Sequence, residues 1–85
     1  MTYDETKRLL EKYAKVTGCA LTLRRTPDGW DNMASIVDSR NCPTFTSIGF
    51  TYKEVYDQLL DIVLMHHHWT SVDELCIWTD MHDIN

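Results

Sequence analysis

The sequence has 85 residues, of which 44% are hydrophobic and 25% are charged. These values predict a single compact domain over residues 1–85 and exclude a disordered chain. Residues 1–10 are charged, and the longest apolar run, residues 62–65, is far too short to span a bilayer. We therefore expect a cytoplasmic protein with no signal peptide and no membrane contact. The three cysteines are widely spaced and form no CxxC pair, which argues against a disulfide scaffold or a zinc knuckle.

The net charge of −5 is unevenly distributed along the chain. Residues 44–85 contain one basic residue, Lys53, against seven carboxylates, and they also contain all four histidines. An acidic surface repels phosphate backbones. The charge pattern therefore argues against direct nucleic-acid binding and favours a protein partner.

Three segments have the form of a capping box, in which Ser or Thr precedes Glu by three residues. They are TYDE at residues 2–5, TYKE at residues 51–54 and SVDE at residues 71–74. Each predicts a helix, with starts at about residues 3, 52 and 72. Gly18 is placed to end the first helix, and the second is expected to reach about His68.

The region between the first two helices has the pattern of three strands. Residues 19–26 alternate between apolar and polar, PDG at residues 27–29 is a turn, and strands are predicted at about residues 30–37 and 44–50. The order is α-β-β-β-α-α, which predicts an α+β fold: a three-stranded antiparallel meander with the helices packed on one face. The cluster LCIW at residues 75–78 is also strand-like, so residues 72–81 could be helix or strand.

The second predicted helix has a wider apolar surface than a sheet can cover. Its apolar residues span about 200°, whereas a stripe of about 100° covers a sheet. The surplus consists of Tyr56, Leu60 and Leu64. These residues must be buried by the final helix, which carries Leu75 and Trp78, by a second copy of the chain or by a different partner.

The run His66-His67-His68 resembles a metal cluster only in composition. Neighbouring helical side chains diverge by about 100°, so three consecutive rings cannot chelate one ion, and we predict no metal site. Histidines suit the C-terminal end of a helix, where a cation is favoured. A metal-responsive or pH-responsive contact is the alternative interpretation.

The sequence contains no catalytic signature. It has no P-loop, GxGxxG, GxSxG or HExxH motif, so we expect neither an enzyme nor a cofactor. Arg24, Arg25 and Trp30 form a small basic and aromatic patch around the first hairpin. Because Asp28 and Asp31 compensate its charge, a solvated hairpin is the simpler interpretation.

The element order resembles two known classes of protein. The order α-β-β-β-α is that of double-stranded-RNA-binding domains, but here the second helix opens with a single lysine and then becomes acidic, which argues against RNA binding. In size, element order and acidity the chain also resembles phage-encoded anti-CRISPR inhibitors. That resemblance implies a protein that occupies the nucleic-acid-binding groove of its target.

The resulting hypothesis is a non-enzymatic, acidic protein-binding module, a phage or mobile-element inhibitor that blocks a basic groove on a nucleic-acid-handling protein. Its contact residues are expected to be the carboxylates of the C-terminal half: Glu54, Asp57, Asp61, Asp73, Glu74 and Asp80. One alternative is a structural or regulatory homodimer that uses Tyr56, Leu60 and Leu64. The other is the histidine-based metal-responsive or pH-responsive domain.

Overall fold

The computed structural model describes residues 1–83. They form α1 (Tyr3–Val16), β1 (Ala20–Arg25), β2 (Asn32–Val37), β3 (Pro43–Gly49), α2 (Tyr52–His66) and α3 (Val72–His82). The strands make one antiparallel sheet in the order β1-β2-β3. The predicted α+β class and the predicted order of elements are confirmed.

α1 begins with both hydrogen bonds of the predicted capping box, and α2 begins with one of the two. At α1, Thr2 Oγ1 accepts from the Glu5 amide and Glu5 Oε1 accepts from the Thr2 amide, both at 3.2 Å. At α2, Thr51 Oγ1 accepts from the Glu54 amide at 3.1 Å, while Glu54 Oε2 reaches back to the amide of Phe50. The predicted starts at residues 3 and 52 are confirmed.

The third helix begins at Val72, as predicted, but with a different cap. The Ser71 side chain accepts no capping hydrogen bond. Glu74 Oε2 instead accepts from the Thr70 amide at 2.6 Å. Residues 72–82 are helical, so the strand alternative for this segment is wrong.

The first two helices end in the same hydrogen-bonded turn. The Cys19 amide donates to the Ala14 carbonyl at 2.7 Å, and the Trp69 amide donates to the Leu64 carbonyl at 2.9 Å. Each turn needs a residue in the left-handed conformation, and this residue is Gly18 (φ 74°) in one turn and His68 (φ 59°) in the other.

The helices cover one face of the sheet. α1 packs on β1, α2 packs on β2 and β3, and α3 packs against α1. The covered face contains the register rows Leu21–Ile36–Phe45 and Leu23–Ala34–Ser47. The core between the layers is formed by fully buried side chains from several elements: Leu10, Ile36, Val55, Leu59, Val63 and Leu75.

The second strand begins later than the predicted position at about residue 30. Asp28 Oδ1 accepts from the Trp30 amide at 3.0 Å, and the Thr26 amide donates to the Asp31 carbonyl at 3.0 Å. These bonds hold residues 30 and 31 in the turn, so β2 starts at Asn32. The turn itself lies where PDG predicted it.

None of the helices within residues 1–83 has the length and apolar character needed to cross a membrane.

Candidate functional site

The fold divides the predicted acidic residues among several places. Asp57 and Asp61 border a groove of about 250 Å³, whose apolar lining includes Leu60 and Val72. Asp57 is already engaged there, because its Oδ2 lies 2.7 Å from Lys53 Nζ and its Oδ1 lies 3.5 Å from Thr6 Oγ1. Of the two, Asp61 is the more exposed to a partner.

The remaining four acidic residues lie elsewhere. Asp73, Glu74 and Asp80 are exposed on α3, where Asp80 pairs with Lys12 of α1. Glu54 lies at the start of α2 and is occupied with the Phe50 amide. The six residues therefore lie on two helices, three on α2 and three on α3. The carboxylates available for contact with a partner are therefore those of Asp61 and of α3.

The apolar surplus of α2 is buried within the chain, mainly by α1. The ring of Tyr56 lies 5.5 Å from that of Tyr3 in α1, and both Tyr56 and Leu60 are buried. Leu64 is half-buried. Val72, at the start of α3, adds to the lining near Leu60. A second copy of the chain is thus not needed to cover Tyr56 and Leu60.

Four large apolar residues at one end of the sheet are exposed. Trp30 is 78% exposed and Phe50 is 77% exposed, while Ile48 and Tyr52 are each 49% exposed. We call these four residues the hairpin end, because they belong to the β1–β2 turn, the end of β3 and the start of α2. Exposed clusters of large apolar side chains mark interaction sites.

The pairing of β2 with β3 places Phe50 next to the β1–β2 hairpin. Asn32 is paired with Gly49, and its Nδ2 donates to the Phe50 carbonyl at 2.9 Å, which fixes the chain next to the hairpin turn. A Cβ at Gly49 would lie only 3.1 Å from the Glu54 side chain, so β3 approaches the start of α2 closely. Phe50 and Tyr52 then border a shallow depression of about 280 Å³ with Arg25.

The basic residues of the first hairpin lie beside the same surface. Arg24 and Arg25 are exposed, and Arg25 Nη1 donates to the Gly29 carbonyl at 3.3 Å. The sequence indicated Arg24, Arg25 and Trp30 as one patch. It did not indicate Phe50, which joins them only through strand pairing.

Histidine and aromatic rings form a second cluster, where α2 meets α3. The ring of His67 stacks on Trp69 with centroids 4.1 Å apart and lies 5.5 Å from Trp78. A hydrogen bond of 2.6 Å joins His67 Nε2 to the Tyr13 hydroxyl. Trp78 in turn stacks on His82, with centroids 4.3 Å apart. This cluster fixes the turn between the two helices.

Burial tunes two groups of this cluster toward their neutral forms. Burial lowers the pKa of His67, with a smaller contribution from the neighbouring His66. Burial also raises the pKa of Tyr13. Both shifts favour the neutral forms, so the pair is a hydrogen bond between a neutral phenol and a neutral imidazole.

The three consecutive histidines point into different surroundings. The rings of His66 and His67 are inclined by 86°, and His66 lies edge-on to Phe45. Among residues 1–83, no group of three His, Cys, Asp or Glu side chains is arranged to hold a metal ion.

No protein-family model, curated protein or solved structure matches this chain.

Proposed function

We propose that this chain is a non-enzymatic protein-binding module that contacts its partner through the hairpin end. The observation that supports this is the exposure of Trp30 and Phe50, each more than three-quarters accessible on a chain of 85 residues. Trp, Tyr and Arg dominate the binding energy of protein interfaces. Arg25 and Tyr52 border one depression, and Trp30 belongs to the neighbouring turn of the hairpin, so all three residue types occur at this end of the sheet.

The charge of the molecule favours a basic partner. Residues 44–85 carry a single lysine against seven carboxylates, whereas the hairpin itself carries the exposed Arg24 and Arg25. The acidic field therefore acts on the approach of a basic partner and not through the hairpin contacts. Complementary charge steers association and rejects acidic competitors. A basic, nucleic-acid-handling protein would be attracted by the negative electrostatic field of these carboxylates. By blocking the nucleic-acid-binding groove of that protein, the chain would act as a phage or mobile-element inhibitor.

Two rival functions have less support. The homodimer was motivated by Tyr56, Leu60 and Leu64, of which the first two are buried and the third is half-buried in the single chain. A histidine-based metal-responsive domain would need converging ligands, and among residues 1–83 no group of three His, Cys, Asp or Glu side chains is arranged to hold a metal ion.

The experiment is a capture of partners from a cytosolic extract by the native chain and by the double variant Trp30→Ser, Phe50→Ser. The matched control is Met65→Ser, which removes a side chain that is 75% exposed on α2. We expect the native chain and the control to capture the same basic protein and the double variant to lose it. Equal capture by all three would refute the role of the hairpin end.

A further inference from the structure

The third helix has apolar side chains on two opposite sides. Its inner side is buried through Leu75 and Thr79. Its outer side presents Ile77, 60% exposed, and Met81, 72% exposed. Residues four apart are neighbours on one face of a helix, so Ile77 and Met81 form a short apolar ridge that points away from the core.

Carboxylates border this ridge on both sides. With about 100° between successive residues, Asp73 and Asp80 fall on one side of the ridge and Glu74 falls on the other. All three are exposed. We call Asp73, Glu74, Ile77, Asp80 and Met81 together the outer face of α3. It combines a small apolar centre with an acidic border.

We propose that the outer face of α3 docks against a protein surface that presents an apolar stripe bordered by Lys and Arg side chains. An amphipathic helix binds such a stripe through anchors at i and i+4, and Ile77 and Met81 supply them. Asp73 and Glu74 then pair with the basic border and select it over neutral or acidic surfaces, while Asp80 already pairs with Lys12 of α1. The proposal rests on the protein-binding function above and gives the chemistry of the partner surface.

The charge of the border decides between possible occupants. A symmetric contact between two copies would bring the Asp73, Glu74 and Asp80 carboxylates of both chains together, which is unfavourable. An anionic membrane or a nucleic acid would be repelled for the same reason. A protein surface with basic residues along an apolar stripe is the occupant that this border attracts.

The test uses a synthetic helical peptide with Leu on one face and Lys along its borders, which presents an apolar stripe with basic rims. It is titrated into the ¹⁵N-labelled full chain, and amide shifts are followed by NMR. A scrambled peptide of the same composition is the first control. We expect shifts centred on residues 73–81 for the helical peptide and weaker, scattered shifts for the scrambled one.

The matched variants are Ile77→Ser, Met81→Ser on the ridge and Met65→Ser on α2. The ridge variant should weaken binding at least about tenfold, since exposed apolar anchors supply the affinity, and the Met65 variant should bind like the native chain. Raising the salt concentration should weaken the native complex, because the border charges are screened.

Three results would overturn the inference: no binding of the helical peptide, equal binding by the ridge variant, or shifts centred on Trp30 and Phe50. A dimer of the chain, detected by sedimentation and lost in the ridge variant, would assign the outer face to a second copy instead. Failure of the proposed function is distinguishable, because that function is tested by the capture that depends on the hairpin end.

Discussion

Thr51 and Ser71 occupy equivalent positions before α2 and α3, yet only Thr51 caps its helix. Its hydroxyl accepts the Glu54 amide at 3.1 Å, whereas the Ser71 hydroxyl makes no capping bond. We therefore expect Thr51→Ala to lower the free energy of unfolding by about 1 kcal/mol. Ser71→Ala should lower the free energy of unfolding by only about 0.3 kcal/mol, because no hydrogen bond is lost. Urea denaturation of both variants measures the difference, and equal losses would contradict these two cap geometries.

His68 holds a left-handed conformation that side chains other than glycine adopt at a cost. The equivalent position at the end of α1 is Gly18. His68→Gly removes steric strain of about 1 kcal/mol but adds freedom to the unfolded chain, so we expect a gain of about 0.5 kcal/mol in the free energy of unfolding. Gly18→Ala should lose about 1 kcal/mol at the matched site. A destabilised His68→Gly variant would show that the imidazole makes a compensating contact.

His67 makes the stability of the fold dependent on pH. Burial lowers its pKa below the ordinary value of 6.5, so below about pH 6.5 the unfolded chain takes up a proton that the folded chain does not. The contribution of His67 to stability is therefore fully present above pH 6.5 and falls as the pH drops toward the lowered pKa. We expect a smaller free energy of unfolding at pH 5.5 than at pH 7.5.

The variant that tests this is His67→Phe, which keeps a ring beside Trp69 but removes the titrating group. The difference between urea midpoints at pH 7.5 and pH 5.5 should shrink in this variant. An unchanged difference in His67→Phe would show that other groups carry the pH dependence.

At the scale of elements, the orientation of α3 can be tested by two neighbouring apolar residues. Leu75 is fully buried and Ile77 is mostly exposed. In a strand these residues would share a face, whereas in a helix they lie about 200° apart. Leu75→Ala should therefore cost about 3 kcal/mol and Ile77→Ala less than about 0.5 kcal/mol, measured by chemical denaturation. Similar losses for the two variants would favour the extended arrangement.

Local features of the fold were predictable from the sequence, and contacts between elements were not. The starts of α1 and α2 follow from capping residues that act within one turn, and the strand order follows from alternation and turn residues. Periodicity also showed that Tyr56 and Leu60 must be buried by a neighbouring element. It could not show that α1 is the main such element, because a periodic pattern defines a face of a helix and not the element that packs on that face.

The candidate site was only partly predictable for the same reason. Trp30 and the two arginines are close in sequence and were recognised as a patch. Phe50 reaches them through the pairing of Asn32 with Gly49, which depends on the register between β2 and β3. The ring cluster of His67 depends on the turn at His68, whose left-handed conformation a histidine does not signal.

At the scale of the whole molecule, the net charge of −5 should act on the rate of association more than on the lifetime of the complex. Asp57 is a poor residue for testing this, because it pairs with Lys53 and contacts Thr6. Asp61 and Asp73 are better placed. Asp61 borders the groove that Val72 also lines, and Asp73 follows Val72 on α3.

The decisive comparison is between two double charge reversals that change the net charge equally. Asp61→Lys, Asp73→Lys alters the α2–α3 side, while Asp4→Lys, Glu11→Lys alters exposed positions on α1. If the local field guides a basic partner, the first variant should slow association with the captured protein at least about tenfold at low salt, and the second should slow it much less. The difference should fade as salt shortens the range of the field. Equal slowing would mean that only total charge matters, and no slowing in either variant would remove electrostatic steering from the proposed function and leave the apolar anchors to define it.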